Sequence, residues 1–527
     1  MGEATPAPGA SRFARGVLAS GFTILLTAPL ALFAARGGAP SAALAERRMP
    51  APPVRKPRNL DEALAWPRRF DAWYADHFWS RTQLLAAHNQ LVWSALAQSP
   101  SDLELRGRGE WLFTTANRGL DVARGAFPLL PARLDGWVRM LRERERALAQ
   151  RNVAYVFALA PNKDQVYPEH LPEPWNERGT TCAEQLFEAL SGERFAMVLE
   201  LREAMLAEKA HDGERGPDDL TYYRLGAHWT DRGAFAAQQA LAQRLGELGV
   251  RLRPLSRAEF DVQAIGEGDS SASSMYLDGR LQQQAWRWLN REPAGLDASG
   301  ANLDEEREWT FERDDPQADA LVVIHDSFGP YLRRFWAASA SSVGSYWSSF
   351  DLAVVDERKP RAVVELYVDR ALVHTAPAPW ELLTSSAARA RFDSLGKIVS
   401  DSATALETLE WRAASGTRLE PRDGALELSA ARGQPVLELA LPQRGLSGAM
   451  LRLVIDAPVD GRMDLIYRTR REPRWERHNT VSCAFSAGRA ELVYELCDDE
   501  LEGPWQMRFT PHAQGCYVLR ELEIRAQ

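Results

Sequence analysis

The chain has 527 residues, 45% of them hydrophobic and 26% charged, which excludes a disordered or fibrous protein and predicts about three domains. A net charge of −9 argues against a general nucleic-acid binder, which needs a basic surface. Four cysteines with no C-x-x-C pair exclude a disulfide-dense scaffold, a zinc ribbon and a thioredoxin-type site.

In chain order, Gly16 to Ala35 comes first, an uncharged apolar stretch long enough to cross a bilayer as a helix. Two readings compete. One is a signal peptide cleaved near Ala43-Leu44-Ala45; the other is an uncleaved anchor. The length of the apolar run favours the anchor, although Pro29 would kink it. Arg12 and Arg15 before it, against Arg36, Arg47 and Arg48 after it, lean slightly against an exported body. The signal-like start and the lack of a second spanning segment still put the body outside the cytoplasm. Residues 37–58 are rich in Pro, Ala and Arg and read as a linker.

From Leu60 to about Gln98 the pattern is helical and aromatic-rich, with Asp61 as a candidate cap. A Gly107/Gly109 turn precedes Glu110-Trp-Leu-Phe113, which begins a buried strand. Leu134 to Gln150 is a charged amphipathic run and predicts a surface helix. Val153 to Ala160 is continuously apolar and stops at Pro161-Asn162-Lys163, as a central parallel strand with a loop at its carboxyl end does. Gly233 to Leu248 is helical. Ala320 to Ile324 and Ala362 to Tyr367 are further buried strands, so residues 59–400 predict an α/β layered domain. Past Ser400, short alternating segments separated by turn residues predict an antiparallel β-sandwich over 403–527. They begin with Ala425–Ser429 and end with Val518–Ile524.

Two residues stand out chemically. Ser327 follows a buried strand in Asp326-Ser327-Phe328-Gly329, where a tight turn can present a hydroxyl at a cleft and backbone N–H groups can face an oxyanion. The same residues suit a helix N-cap. His228 lies in a loop before a helix, in Tyr223-Arg-Leu-Gly-Ala-His228-Trp-Thr, and imidazole is the usual general base near neutral pH. The competing reading is a histidine packed on Trp229. His325 abuts the serine turn, directed along its strand.

The two segments belong to a wider set. Asp76-His-Phe-Trp-Ser-Arg81, Gly107-Arg-Gly-Glu-Trp-Leu-Phe113, Ala160-Pro-Asn-Lys163 with Tyr167-Pro-Glu-His-Leu-Pro172, His228-Trp-Thr230 with Gly233-Ala234, His325-Asp-Ser-Phe-Gly329, and Lys359-Pro360 through Glu365 to Arg370 follow one another in order. Over residues 59–375 this series resembles the SGNH-hydrolase-like O-acetyltransferases of the alginate type (AlgX and AlgJ). In ordinary SGNH hydrolases the serine block comes first; here, as in the alginate type, it follows the histidine block.

The resemblance implies an SGNH-like three-layer α/β domain with a parallel central sheet, a carbohydrate-binding-like sandwich behind it, and a membrane-anchor helix in front. It implies Ser327 as nucleophile and His228 as its base, acting through an acetyl-serine on hydroxyls of an extracellular polysaccharide, with Asn162 or Lys163 helping at the oxyanion. It implies no cofactor and no metal. The acetyl donor would be relayed from a membrane-bound O-acyltransferase, beside other polymer-export proteins, in the periplasm at the inner membrane. One position departs. The family has Asp two residues before the histidine, and this chain has Gly226. Three arrangements stay open: a Ser–His dyad, another carboxylate such as Asp231 or Asp326, or lost catalysis. Two non-transferase functions remain beside it, a carbohydrate acetylesterase using the same pair and a non-catalytic polysaccharide-binding scaffold.

Tyr223, Arg370, Arg474 and Trp475 complete the candidates as substrate contacts. Arg370 competes with a structural role, pairing Glu365 or Asp369. In the sandwich Arg468, Arg470, Arg471 and Arg474 surround Trp475, a basic and aromatic cluster suited to an anionic glycan. Its alternative is an exposed hairpin tip. Cys483, Cys497 and Cys516 share this domain, and one pair can bridge in an oxidising compartment.

Overall fold

The computed structural model describes residues 16–24, 27–28, 31–32, 49–191, 198–290, 307–379, 382–383, 385–400, 405–414, 416–430, 434–441, 443–475, 479–510 and 516–526. The chain divides into two compact units, Met1–Arg106 with Ser270–Gln283, and Gly107–Asp269 with Gln284–Gln527. In the apolar 16–35 stretch the described residues are helical. Among the described residues no helix is long and apolar enough to cross a membrane. The rest of the expected anchor, the 43–45 cleavage site and most of the linker's first half lie outside the described residues.

The first unit carries helices α1 (Leu60–His77) and α2 (Arg81–Ala95). The cap of α1 is Asn59, not Asp61: the Asn59 side chain accepts the Glu62 N–H at 2.8 Å from an extended backbone. Asp61 sits in the first turn, where its charge complements the helix dipole. Asp76 and Arg81 form an ion pair at 3.7 Å, and Arg81 also donates to the Tyr276 hydroxyl at 2.7 Å.

The second unit contains an α/β domain and a sandwich. Its first elements are α3 (Pro131–Ala149), β1 (Ala154–Ala160), β2 (Val198–Glu200) and α4 (Asp231–Glu247). They are followed by β3 (Glu308–Glu312), β4 (Ala320–His325), β5 (Ser342–Tyr346) and β6 (Ala362–Val368). The six strands form one sheet in the order β2-β1-β6-β4-β5-β3. Five are parallel, with Ala362 of β6 level with Ala154 of β1 and Leu321 of β4. The expected parallel sheet is therefore mixed, because β3 joins the edge antiparallel to β5. Glu308-Trp-Thr-Phe-Glu312 alternates, as suits an edge exposed on one face.

The central strands are covered on both faces. Tyr155, Phe157 and Leu159 join Trp137, Leu141 and Leu148 of α3 in one core. Val156 and Ala158, which point the other way, are equally buried. Helix α3 departs from the expected surface helix. It buries Arg133 and Arg144, each paired with a carboxylate, Asp498 and Glu365. The helix thus contacts both the sheet and the sandwich. A Cβ at Gly136 of this helix would collide with Cys497 of the sandwich.

The sandwich consists of two antiparallel sheets. One contains Thr417–Arg422, Ala425–Ala430, Tyr517–Ala526, Ala449–Ala457 and Gly488–Leu496, with Lys397–Ser400 also pairing to Tyr517–Ala526. The other contains Trp411–Ala413, Val436–Leu439, Leu501–Thr510, Gly461–Thr469 and Thr480–Phe485. Leu451, Leu453 and Ile455 of the first meet Leu465, Trp505 and Met507 of the second in a single core. All four cysteines are free, so the expected disulfide is not formed.

At one edge of the α/β sheet three carboxyl ends come together. β1 leads into Asn162-Lys163, β4 into Asp326-Ser327, and β6 into Asp369-Arg370. That edge is where open α/β sheets bind their ligands.

Candidate active site

Ser327 sits on the turn that ends β4 and is half-buried. Asp326 shapes that turn. One carboxylate oxygen accepts the Phe328 N–H at 2.9 Å, the other accepts the Val368 N–H at 2.7 Å, and the Asp326 carbonyl accepts from Gly329 at 3.2 Å. Burial pushes the Asp326 pKa up. Asp326 thus holds the serine's backbone; it feels the His228 charge, but its hydrogen bonds go to backbone N–H groups and it is not the group that orients the ring. His325 lies beneath the turn, not directed along the strand. Its Nδ1–H donates to the Asp326 carbonyl at 2.7 Å, and its Nε2 accepts from Ser345 at 2.7 Å. A Cβ at residue 329 would strike the His325 ring, which is why glycine follows Phe328.

Burial lowers the His325 pKa from 6.5 to about 4. The unfolded chain therefore binds this proton more tightly. The stabilising contribution is complete above the unfolded value and is lost as pH falls through the folded one. Denaturant melts should show wild type losing about 2–3 kcal/mol more than His325→Gln between these two pH values.

His228 lies in a tight hairpin. Thr230 N–H donates to the Thr221 carbonyl at 3.0 Å and Tyr223 N–H to the His228 carbonyl at 3.0 Å. Three carbonyls of this hairpin, those of Tyr223, Arg224 and Gly226, converge on the Lys163 ammonium, the first two at 3.0 and 3.1 Å. Lys163 is 4% exposed, so it is neither a solvated loop charge nor an oxyanion donor: its three N–H groups shape the hairpin backbone. The hairpin is tied to the serine turn by Trp229, whose indole N–H donates to the Phe328 carbonyl at 3.2 Å. The His228 ring packs on Phe328 and Tyr331, with centroids at 4.9 and 5.4 Å, and it is Trp229 that stacks edge-on against Phe328.

The carboxylate beside His228 is Asp269, which sequence reasoning missed. Its Oδ2 accepts from His228 Nδ1 at 2.8 Å and from the N–H groups of Ala227 and His228 at 2.8 and 3.1 Å. Burial alone would raise the Asp269 pKa, but His228 and these three N–H donors hold it well below the usual carboxylate range. The proton is thereby fixed on Nδ1, leaving Nε2 as the acceptor. Nε2 is buried and makes no hydrogen bond among the described residues, so the Ser327–His228 bond is not closed in this structure. Such bonds often tighten only with substrate bound.

The remaining candidates separate. Asp231, the other expected stand-in, caps no histidine: it accepts the Trp288 N–H at 2.9 Å and pairs with Arg287 and Arg334 at 3.4 and 3.3 Å. Asn162 is 3% exposed, with its amide donating to Asp369 and its oxygen accepting from Arg370. Of the two expected partners of Arg370, Glu365 pairs with Arg144 instead, while the Arg370 charge does act on Asp369. Burial raises the Asp369 pKa to about 7, against the Gln165 hydrogen bond and the Arg370 charge, which lower it. Tyr223 is buried, its ring 6.3 Å from Tyr331. Arg474 and Trp475 are exposed in the sandwich, where Arg468 stacks on Trp475 at 4.8 Å, while Trp505 is core.

Residues 105–294 match the family described as SGNH hydrolase-like domain, acetyltransferase AlgX. The match takes in His228 and Asp269 and ends before Ser327. No curated protein matches the chain. Among solved structures, Pseudomonas aeruginosa AlgX is 15% identical, covering 84% of this chain and 99% of that one, with a TM-score of 0.35. Bacillus cereus PatB1 is 16% identical, covering 52% and 97%, with a TM-score of 0.36. The O-acetyltransferase domain of Pseudomonas putida AlgJ is 18% identical, covering 51% and 91%, with a TM-score of 0.31. What the chain shows is therefore a similarity limited to residues 105–294, which match the SGNH hydrolase-like domain of acetyltransferase AlgX.

Proposed function

We propose that the chain is an O-acetyltransferase that modifies hydroxyls of an extracellular polysaccharide. The observation that supports this most is a histidine oriented by a carboxylate, Asp269 to His228 Nδ1, packed against the turn that carries Ser327, in a chain whose residues 105–294 match the AlgX domain. In the first half-reaction Nε2 takes the Ser327 hydroxyl proton as Oγ attacks the acetyl carbonyl of the donor. The imidazolium, held by Asp269, returns that proton to the leaving group, and an acetyl-serine remains. A sugar hydroxyl then gives its proton to Nε2 and attacks the same carbonyl. The acetyl group moves to the sugar and Ser327 recovers its proton. The Ser327 backbone N–H is the oxyanion donor we assign, since Lys163 is occupied elsewhere.

The non-catalytic scaffold reading drew its motive from Gly226, and Asp269 removes that motive. We assign the acetyl donor to a membrane-bound O-acyltransferase and the chain to the periplasmic face of the inner membrane, with 16–35 as its attachment. The exposed Trp475–Arg468 stack is the sandwich's proposed glycan contact.

One experiment tests the reading. Cells expressing the full chain are fractionated, and membrane and soluble fractions are given an acetyl ester with and without a polysaccharide acceptor. Acetylated polymer in the membrane fraction is the expected result. Ester cleavage that never yields acetylated polymer would make the protein an esterase, and activity found only in the soluble fraction would remove the anchor.

A further inference from the structure

The position that carries the acid in the family motif is Gly226 here, yet His228 has a carboxylate at hydrogen-bonding distance. The local geometry explains how. A Cβ built on Gly226 would fall within contact of the Asp269 Oδ2, Cγ and backbone carbonyl. The Asp269 carboxylate therefore fills the volume that a side chain at 226 would need. It arrives on the loop after the strand Phe260–Ala264, and that loop comes close because residue 268 is also glycine. A Cβ there would run into the Tyr223 ring and Ala285. Once in place, the Asp269 side chain is 17% exposed and takes three N–H donors on one oxygen.

We propose that Asp269 is the positioning residue for His228, its carboxylate supplied from a separate loop, and that Gly226 and Gly268 are the two backbone openings that admit it. The two positions are then mutually exclusive: an acid is accommodated at 226 or at 269, and not at both. The inference deepens the proposed function and rests on His228 acting as the base for Ser327.

The test uses the full chain, with Asp269→Asn, Gly226→Asp and the double variant Gly226→Asp/Asp269→Gly. The double variant removes the side chain at 269 and frees its backbone to yield. Two readouts are taken: the deshielded His228 ring N–H proton by NMR, assigned by its loss in His228→Gln, and kcat and KM for an acetyl ester. Wild type should show the proton. Asp269→Asn should lose it and about 10³–10⁴ in kcat, with KM within about threefold, the pattern of a lost orienting acid. Gly226→Asp alone should be impaired by the collision. The double variant should regain the proton and at least about tenfold in kcat over Asp269→Asn. Asp269→Ser, which keeps an acceptor for the two backbone N–H groups but no charge, replaces Asp269→Asn if that variant does not fold, with the same losses expected. Retention of the proton and of wild-type kcat in either Asp269 variant overturns the proposal. If Ser327→Ala cleaves the ester as wild type does, the nucleophile reading fails, while the NMR arm still decides whether Asp269 holds the ring.

Discussion

Replacing Ser327 by alanine is expected to lower kcat for acetyl transfer by about 10⁶, the scale of losing the nucleophile of a Ser–His unit. His228→Ala should cost about as much, and the two together no more than either alone, because nucleophile and base act in one step. What survives should come from substrate binding and the oxyanion donor, which need neither side chain. The fold should tolerate the serine change. Ser327 is half-buried on a turn whose shape is set by the Asp326 carboxylate, so stability should move by no more than about 0.5 kcal/mol. The measurement is a pre-steady-state burst with an acetyl ester, read alongside intact-mass detection of the acetyl-serine. A Ser327→Ala protein that still shows the burst would remove Ser327 from the mechanism.

The largest structural effect should come from the joint between the α/β domain and the sandwich. Arg133 of α3 is 5% exposed and grips Asp498 with both ends of its fork, at 3.0 and 2.8 Å. It also donates to the Val373 carbonyl at 2.5 Å and to Asn479 at 3.3 Å, while Asp498 accepts the Tyr467 hydroxyl at 2.6 Å. Burial alone would lower the Arg133 pKa, and Asp498 more than offsets it. Arg133→Met leaves Asp498 buried without its cation and should cost about 3–5 kcal/mol. Asp498→Leu added to it should return most of that, since a buried pair replaced by apolar residues is often neutral or better. Denaturant unfolding followed by tryptophan fluorescence reads both, and the single variant should separate one transition into two. A single variant as stable as wild type would show that the joint is held by packing such as Gly136 against Cys497 instead.

What the sequence disclosed follows from where the signal is local. The central strands were legible because a strand buried on both faces must be apolar throughout: Val153–Ala160, Ala320–Ile324 and Ala362–Tyr367 were read, and Ala154–Ala160, Ala320–His325 and Ala362–Val368 are found. The sandwich strands announced themselves by alternation, as at Met463–Tyr467 inside Gly461–Thr469. The edge strand β3 escaped, since Glu308-Trp-Thr-Phe-Glu312 is short and carries only two apolar residues, although Asp314-Asp315-Pro316 marks a turn after it. Helix α3 looked like a surface helix because its arginines suggested solvent. Only the tertiary fold reveals that carboxylates from β6 and from the sandwich meet them. Asp269 was out of reach for the same reason. It is 41 residues from His228 in a Gly-rich loop, and no spacing rule links the two.

That loop also bears on how relatives of this protein are judged. A search that inspects a three-residue window around the histidine would file this chain with the pseudoenzymes, although the missing group is present and correctly aimed. For such proteins a dead-looking tripeptide is evidence of relocation as much as of decay. The deciding column lies wherever the chain leaves a gap that a distant side chain can enter.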